Sequence, residues 1–300
     1  MTTTPATPSV TLLGTKGGPA IRPGSSMPTA TLVRLAGRTV LVDAGLGAAR
    51  GVCAAGIDLH AIDLVVITHL HSDHVLELGP LLHTAWTAGL ARPVPVIGPA
   101  GLADYWRHFL AAMAFDVELR VADEGRVPLA PLADIREIAP DATTGADSRT
   151  VWRDVGTDGL VIEAVRNHHP PIAQSYALRL SGEGRCIVLS GDTAPFEGWE
   201  TFCRGADLLV HETMLHDGVE ALIAAHPDPD PRLRAHILRS HTEAGAVGRL
   251  AMRAGVRALA LNHFVPDGLP GFGPDAYAAA VRRHYGGPLY VGRDGMRIAL

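Results

Sequence analysis

The sequence has few of the features that mark secreted or membrane-bound proteins. Its three cysteines, Cys53, Cys186 and Cys203, are widely separated and form no CxxC pair, which excludes a disulfide framework. Aromatic residues make up only 5% of the chain, and no apolar run reaches the ~18 residues that a membrane span needs. Residues 1–8 are rich in Thr and Pro and lack the regions of a secretory signal. We therefore expect a cytoplasmic protein without a membrane association.

An excess of positive charge is also missing. The formal net charge is −5 and the pI is near 6.3. Because nucleic-acid-binding proteins normally carry a basic face, nucleic acid is not expected as a partner, although a local patch would be hidden in the average. The chain does have a hydrophobic fraction of 47%, enough for a sizeable core, and 15 histidines.

Apolar segments typical of strands alternate with segments of helical character. Residues 62–68 (IDLVVIT) are almost continuously apolar, which is typical of a strand buried on both faces. Further strands are expected at residues 11–13, 29–43 as a hairpin, 94–97, 160–165, 175–180, 186–189, 208–210, 258–261 and, as a final pair, 289–300. Helices are expected at residues 79–89, 100–114, 243–254 and 275–284. Residues 121–157 are less patterned, and a strand or two with an exposed loop is expected there.

This alternation predicts an α/β fold in which two β-sheets pack face to face with helices on the outside. We expect a flexible tail at residues 1–8 and a single domain at residues 9–300.

Four potential metal ligands directly follow the apolar run at 62–68. They are His69, His71, Asp73 and His74 in the segment THLHSDH. A loop at this place can turn His69 and His71 toward one metal ion, and Asp73 and His74 toward another. Imidazole and carboxylate ligands suit zinc, with manganese and iron as alternatives.

The segment THLHSDH resembles the metal-binding motif of the metallo-β-lactamase superfamily. Further motifs resemble those of the same superfamily and occur in the same order: Asp43-Ala44-Gly45, His168-His169-Pro170-Pro171, Ser190-Gly191-Asp192-Thr193 and Asn262-His263-Phe264. The resemblance implies an αββα sandwich with two divalent metal ions, zinc being the first choice.

The resemblance also implies a ligand for each position. His69, His71 and either His168 or His169 would bind the first metal, Asp73, His74 and His263 would bind the second, and Asp192 would bridge them. His169 is preferred because relatives place this ligand seven residues before an aromatic residue, which Tyr176 matches. His168 stays open as the alternative.

Two later segments resemble the ribonuclease Z branch of the superfamily. They are ADLLVHET at residues 206–213 and SHTEA at residues 240–244. In that branch the glutamate orients a histidine that faces the substrate, so the resemblance makes Glu212 and His241 a candidate acid pair. This role requires Glu212 to lie within hydrogen-bond reach of His241, ~2.6–3.2 Å. Asp73 would orient the attacking hydroxide.

The chain also carries a glycine-rich segment, Gly14-Thr15-Lys16-Gly17-Gly18, near its beginning. Its spacing does not match the phosphate-binding loop G-x-x-x-x-G-K-[ST]. A loop near the mouth of the active site is the expected role.

Three functions remain open at this point. The favoured one is hydrolysis of a small phosphodiester, sulfate ester, or carboxylic or lactone ester by a hydroxide that bridges the two metals. It is favoured because the chain is acidic and shows no basic, glycine-rich arm, and because VGRDGMRIAL at residues 291–300 resembles the arylsulfatase-like or phosphodiesterase-like branch. The alternatives are an RNA 3′-processing endonuclease of the ribonuclease Z type and an iron-dependent redox member of the fold. By analogy with relatives, a homodimer is expected.

Overall fold

Two seven-stranded β-sheets pack face to face, and helices cover their outer surfaces. This architecture, seen in a computed structural model, confirms the predicted αββα sandwich. The structure describes residues 7–139, 148–156, 158–225, 228 and 230–300. Most of the predicted tail at residues 1–8 lies outside the described residues, as do residues 140–147 of the predicted exposed loop.

The first sheet is formed mainly by the first half of the chain. Its strands, numbered in chain order, are β1 (Ser9–Gly14), β2 (Ala30–Leu35), β3 (Arg38–Val42), β4 (Leu64–Val66), β5 (Val94–Gly98), β6 (Ala133–Glu137) and β14 (Met296–Ala299). Their order in the sheet is β14-β1-β2-β3-β4-β5-β6. Pairing is antiparallel from β14 to β3 and parallel from β3 to β6.

The second sheet repeats this mixture of pairings. Its strands are β7 (Arg149–Arg153), β8 (Val161–Arg166), β9 (Tyr176–Gly182), β10 (Arg185–Leu189), β11 (Leu208–Met214), β12 (Leu259–Val265) and β13 (Leu289–Val291). Their order is β13-β12-β11-β10-β9-β8-β7. Pairing is parallel from β13 to β10 and antiparallel from β10 to β7.

Helices occupy the outer faces. They are α1 (Ala48–Ala54), α2 (Ser72–Val75), α3 (Leu78–Thr87), α4 (Leu102–Ala112), α5 (Ala114–Glu124), α6 (Trp199–Cys203), α7 (His216–Ala224), α8 (Pro231–Ser240), α9 (Ala244–Arg253) and α10 (Pro274–Arg282), with 3₁₀ turns at Leu59–Ala61 and Ala130–Leu132. Helices α1, α3 and α4 pack on the first sheet, and α6, α9 and α10 pack on the second. Among the described residues, no helix combines the length and apolar character needed to span a bilayer.

Strand β4 shows why the apolar run at residues 62–68 is read correctly from the sequence. Leu64 and Val66 pack into the core between the sheets, whereas Val65 packs into the cluster beneath the helices of the first sheet. All three side chains are buried, because a strand with a sheet on one side and helices on the other has no solvated face.

The C-terminal strands differ from the prediction. The two strands expected as a pair at residues 289–300 do not pair with each other: β13 adds to β12 in the second sheet, and β14 adds to β1 in the first. Residues 121–157 also contain the end of α5 and strands β6 and β7. These two strands lie at sheet edges, where one partner strand suffices and the apolar pattern is weak.

The carboxyl ends of β3 and β4 in one sheet, and of β8, β10, β11 and β12 in the other, meet at one edge of the sandwich. The turn after β3 fits tightly there. Ala44 N–H donates to the carbonyl oxygen of His74, and Gly45 N–H donates to that of Thr29. A Cβ atom on Gly45 would lie 2.3 Å from the carbonyl oxygen of Asp73. Only glycine lets these backbones approach so closely.

We predict that Gly45→Ala destabilises the protein by about 2–3 kcal/mol, since the clash is with backbone that cannot move independently. Urea unfolding measures the change. Gly286→Ala is the matched control, because a Cβ atom there meets nothing within 4 Å. Equal unfolding midpoints for the two variants would contradict the prediction.

Candidate metal centre

The backbone at the sandwich edge adopts unusual conformations where the candidate ligands lie. Asp43 has φ 60° and His263 has φ 46°, in the left-handed region that non-glycine residues rarely adopt. The pairing of β11 with β12 skips His263, since Glu212 lies opposite Asn262 and Thr213 opposite Phe264. This bulge turns His263 out of the ladder and toward the centre.

The first group of donors consists of His69, His71, His169 and Asp192. Their ligand atoms lie within 4.8 Å of one another. His71 Nδ1 is 3.1 Å from His69 Nε2 and 3.1 Å from His169 Nε2. Three imidazole nitrogens from two separate loops therefore converge on one point.

The second group consists of Asp73, His74, His263 and again Asp192. His263 Nε2 lies 3.3 Å from Asp73 Oδ2 and 3.0 Å from Asp192 Oδ2. His74 Nε2 lies 3.3 Å from Asp192 Oδ2. The structure thus brings all seven predicted ligands together, divided as the resemblance implies.

Asp192 lies between the two groups. Its Oδ2 atom is 3.8 Å from His69 Nε2 and 3.9 Å from His169 Nε2, in addition to its contacts in the second group. The carboxylate follows β10 and is almost completely buried. It is the one side chain that belongs to both groups among the described residues.

The structure distinguishes the two adjacent histidines that the sequence left open. His169 is buried and lies in the first group, whereas His168 is exposed and lies outside it. His169 Nδ1 donates to the carbonyl oxygen of Ser240 at 3.0 Å, which leaves Nε2 to face the centre.

Asp43 fixes one histidine in each group. His74 Nδ1 donates to Asp43 Oδ2 at 2.7 Å. Thr68 Oγ1 donates to the same carboxylate and accepts from His69 Nδ1 at 3.1 Å. Hydrogen bonds of this kind set the tautomer and orientation of metal-binding histidines, so both Nε2 atoms are directed inward.

The two groups differ in charge. Burial lowers the pKa of His69, and it lowers that of His169 to about 4. Burial also disfavours charge on His263, but Asp192 and Asp73 outweigh it and raise the pKa to about 10. The first group therefore offers neutral imidazoles at pH 7, and the carboxylates of the second group attract positive charge.

These residues fit divalent metal ions. His74 Nε2 and Asp192 Oδ1 are buried without a hydrogen-bond partner, which is costly unless another group satisfies them. Donor atoms around a tetrahedral ion with bonds of ~2.0–2.2 Å lie roughly 3.3 Å apart, close to the 3.1 Å and 3.3 Å seen between neighbouring donors. The donor set of imidazoles and carboxylates is one that zinc, manganese and iron accept.

Glu212 and His241 lie beside this centre. His241 follows the end of α8, and its ring is 5.4 Å from that of His169 and 5.4 Å from that of His263. Its Nδ1 atom is 3.4 Å from Glu212 Oε1, slightly beyond the expected hydrogen-bond range. Glu212 Oε1 accepts instead from the backbone N–H groups of Thr193 and Thr242. The glutamate therefore clamps the loop of Asp192 against the loop of His241.

The sequence did not single out His236, but it did place the glycine-rich segment near the site. His236 lines the same cavity as His71 and His241. His236 and Ser240 lie four residues apart, one helical turn, on α8. This spacing could have indicated that His236 is on the same side of the helix as the SHTEA segment. The Gly14–Gly18 segment was expected near the mouth, and Gly18 N–H donates to Asp73 Oδ2 at 2.8 Å.

Comparisons with known proteins agree over nearly the whole chain. The family model described as "Anti-Pycsar protein Apyc1" matches residues 9–244. Ribonuclease Z of Mycolicibacterium gilvum is 36% identical over 96% of this chain and 95% of that protein. Ribonuclease Z of Mycobacterium bovis is 32% identical over 96% of this chain and 97% of that protein.

Solved structures share the fold. The metallo-β-lactamase fold protein YhfI from Bacillus subtilis superposes with a TM-score of 0.66 at 19% identity, over 98% of this chain and 99% of that one. The short form of human tRNase Z also gives a TM-score of 0.66, at 23% identity, over 97% of this chain and 98% of that one.

The relatives overturn one prediction. A small-molecule ester was expected as the partner and nucleic acid was not, yet the full-length relatives are named as ribonucleases, enzymes that act on RNA. The prediction is wrong because it rested on a net charge of −5, and binding of a phosphodiester depends on the charge around the site and not on the average.

Seven clustered donors, the adjoining Glu212 and His241 and the full-length relatives lead to the same assignment. The chain is a metal-dependent hydrolase of the metallo-β-lactamase superfamily, and within it the chain belongs to the group that includes Apyc1 and ribonuclease Z.

Proposed function

We propose that this chain is a zinc-dependent endoribonuclease that cleaves transfer RNA precursors at their 3′ side. The observation that carries the proposal is the position of His241 and Glu212 beside the two donor groups, the combination by which the sequence resembles the ribonuclease Z branch. The identity of 36% to a ribonuclease Z over nearly the full length of both chains supports it.

In this proposal each donor group holds one zinc ion. The first ion would be held by His69, His71, His169 and Asp192, and the second by Asp73, His74, His263 and Asp192. When bound, two such ions supply an activated water and neutralise charge on the phosphate oxygens. A histidine-rich set with carboxylates suits zinc well.

The remaining steps belong to the side chains of the cavity. Asp73 lines the cavity, with Oδ2 held by Gly18 N–H, and would orient the attacking water. His241 lines it from the side of α8 and would donate a proton to the leaving oxygen. Glu212 keeps His241 in place through the backbone of Thr242, which makes it a positioning residue.

Two exposed cationic side chains lie on segments that also line the cavity. Arg22 is exposed in the loop that follows Gly18, and Arg239 is exposed on α8, close enough to His236 to lower its pKa together with the larger effect of burial. Such groups can contact the phosphates that flank a scissile bond and release their counterions.

The direct test is cleavage of a transfer RNA precursor that carries a 3′ extension. We expect a cut at the 3′ side, loss of activity on chelation and recovery with zinc. Aryl sulfate, lactone and β-lactam substrates serve as comparisons in the same preparation. An intact precursor beside rapid hydrolysis of one of these would refute the proposal.

Replacement of Asp43 tests the metal assignment without touching a donor atom. Asp43→Asn weakens the acceptor for His74 and, through Thr68, for His69, so we predict a loss of roughly 10–100-fold in zinc affinity, as is typical for such outer partners. Competition with a chelator measures it. Asp104→Asn, whose side chain is 73% exposed, is the control, and unchanged zinc affinity in Asp43→Asn would show that the carboxylate does not orient the ligands.

Replacement of His241 tests the proton donor. Because His241 is not assigned as a ligand, His241→Ala should keep its zinc while kcat falls by roughly 10²–10⁴-fold. The loss should shrink when the leaving group is nitrophenolate or a sulfur atom, which hardly needs a proton.

The matched control is the exposed His60→Ala, which should retain wild-type kcat. A loss of zinc in His241→Ala would place His241 among the ligands. A fall in kcat that is the same for every leaving group would indicate charge stabilisation in place of proton donation.

A further inference from the structure

A second cavity adjoins the candidate metal centre. It has a volume of about 570 Å³ and is lined by residues 166–173 together with Phe196 and Glu197. His169 lines both this cavity and the one, of about 200 Å³, that holds the centre. The two cavities therefore meet at His169, and the second one lies directly beside the candidate metal centre. The volume is in the range of small-molecule sites.

The ring of Phe196 is held in place from behind. It is half-buried and stacks on Trp199, with ring centroids 5.2 Å apart and an angle of 24° between the planes. Trp199 is buried and stacks in turn on Phe202. Because this stack fixes the ring before any ligand arrives, little conformational entropy is lost when a second aromatic group packs on it.

The imidazole of His168 provides a second ring at this cavity. Its side chain is exposed, but its backbone is fixed: His168 N–H donates to Thr193 Oγ1 at 3.1 Å, and its carbonyl oxygen accepts from Ala194 N–H at 2.8 Å. The same segment leads on to Phe196. The two ring-bearing loops are therefore tied together by hydrogen bonds.

The cavity also combines apolar surface with charge. Pro170, Pro171 and Ile172 supply apolar wall, and Arg166, at the end of β8, supplies a guanidinium. Glu197 lies at the cavity as well and disfavours a ligand that is purely anionic. Rings for stacking beside a single cation match a nucleoside with its phosphate better than an inorganic anion or a lipid chain.

We propose that this second cavity binds the nucleotide adjacent to the scissile phosphate, with its base against Phe196 and His168 and its phosphate toward Arg166. The inference rests on the proposed RNA substrate and adds to it a base-binding subsite. Stacking accepts any base, so the subsite would contribute affinity without sequence preference.

The test compares Phe196→Ala and His168→Ala with wild type on the precursor RNA. We expect KM to rise roughly 5- to 150-fold, the usual loss for one stacked base, while zinc content and kcat stay within about twofold. Phe115→Ala, at a ring 83% exposed on α5, is the matched control. Phe196→Leu keeps the apolar packing on Trp199 and should show most of the same rise, which separates loss of the ring from loss of folding.

An abasic nucleotide on either side of the scissile bond identifies the occupant. If the missing base is the one that fills the cavity, wild type should bind the abasic RNA as weakly as Phe196→Ala binds the normal RNA. Combining Phe196→Ala with the abasic RNA should then weaken binding little further. Full additivity at both positions would overturn the inference.

A binding measurement separates this inference from the proposed function. Fluorescence anisotropy would follow a phosphorothioate RNA of about eight nucleotides. If wild type does not cleave the precursor but binds this RNA through Phe196, the subsite stands and the proposed function fails. If the precursor is cleaved with unchanged KM in both variants, the function stands and the subsite is wrong. If the RNA is neither cleaved nor bound, both are wrong.

Discussion

The carboxylate of Asp43 organises the site of this protein. It is buried after β3, accepts from the backbone N–H and hydroxyl of Thr68, and accepts from His74 Nδ1. Through Thr68 it also reaches His69. One side chain thus aligns a histidine of each donor group, and it does so from a strained φ of 60°. Such strain persists only where several contacts hold the residue at once.

The second sheet contributes the other candidate donors, and it positions them through the direction of its strands. Its donors lie at the carboxyl ends of strands that run in the same direction, so these ends come together at one edge of the sandwich. Asp192 follows β10, His263 is displaced from β12 by a bulge, and Glu212 connects the two neighbouring loops. The sandwich therefore brings donors from distant parts of the sequence to one edge.

The sequence predicted the centre better than it predicted the surroundings. The first candidate donors follow a strand whose apolar run is easily recognised, at residues 62–68, and the order of all the candidates along the chain matches a known pattern. His236 was not predicted because it lies on α8, and the apolar pattern of the sequence did not indicate a helix there. The pattern is weak because α8 buries only Ile237 and Ser240. The predicted pairing of the last two strands was wrong because their short sequences fit either sheet, and only tertiary packing decides between them. The choice of substrate failed for another reason: net charge describes the whole chain, whereas the binding of a phosphodiester depends on the charge around the site.

The separation of β13 from β14 has a consequence for biosynthesis. Strand β1 is synthesised before every other strand of the first sheet, but its outer neighbour β14 is synthesised after all of them. Until residues 296–299 have been synthesised, one edge of β1 has no partner strand. Val10 and Leu12 of this strand are apolar and are buried in the folded protein. Exposed edges of this kind pair readily with other chains. The nascent chain therefore passes through an interval in which this edge of β1 is open to pairing with other chains.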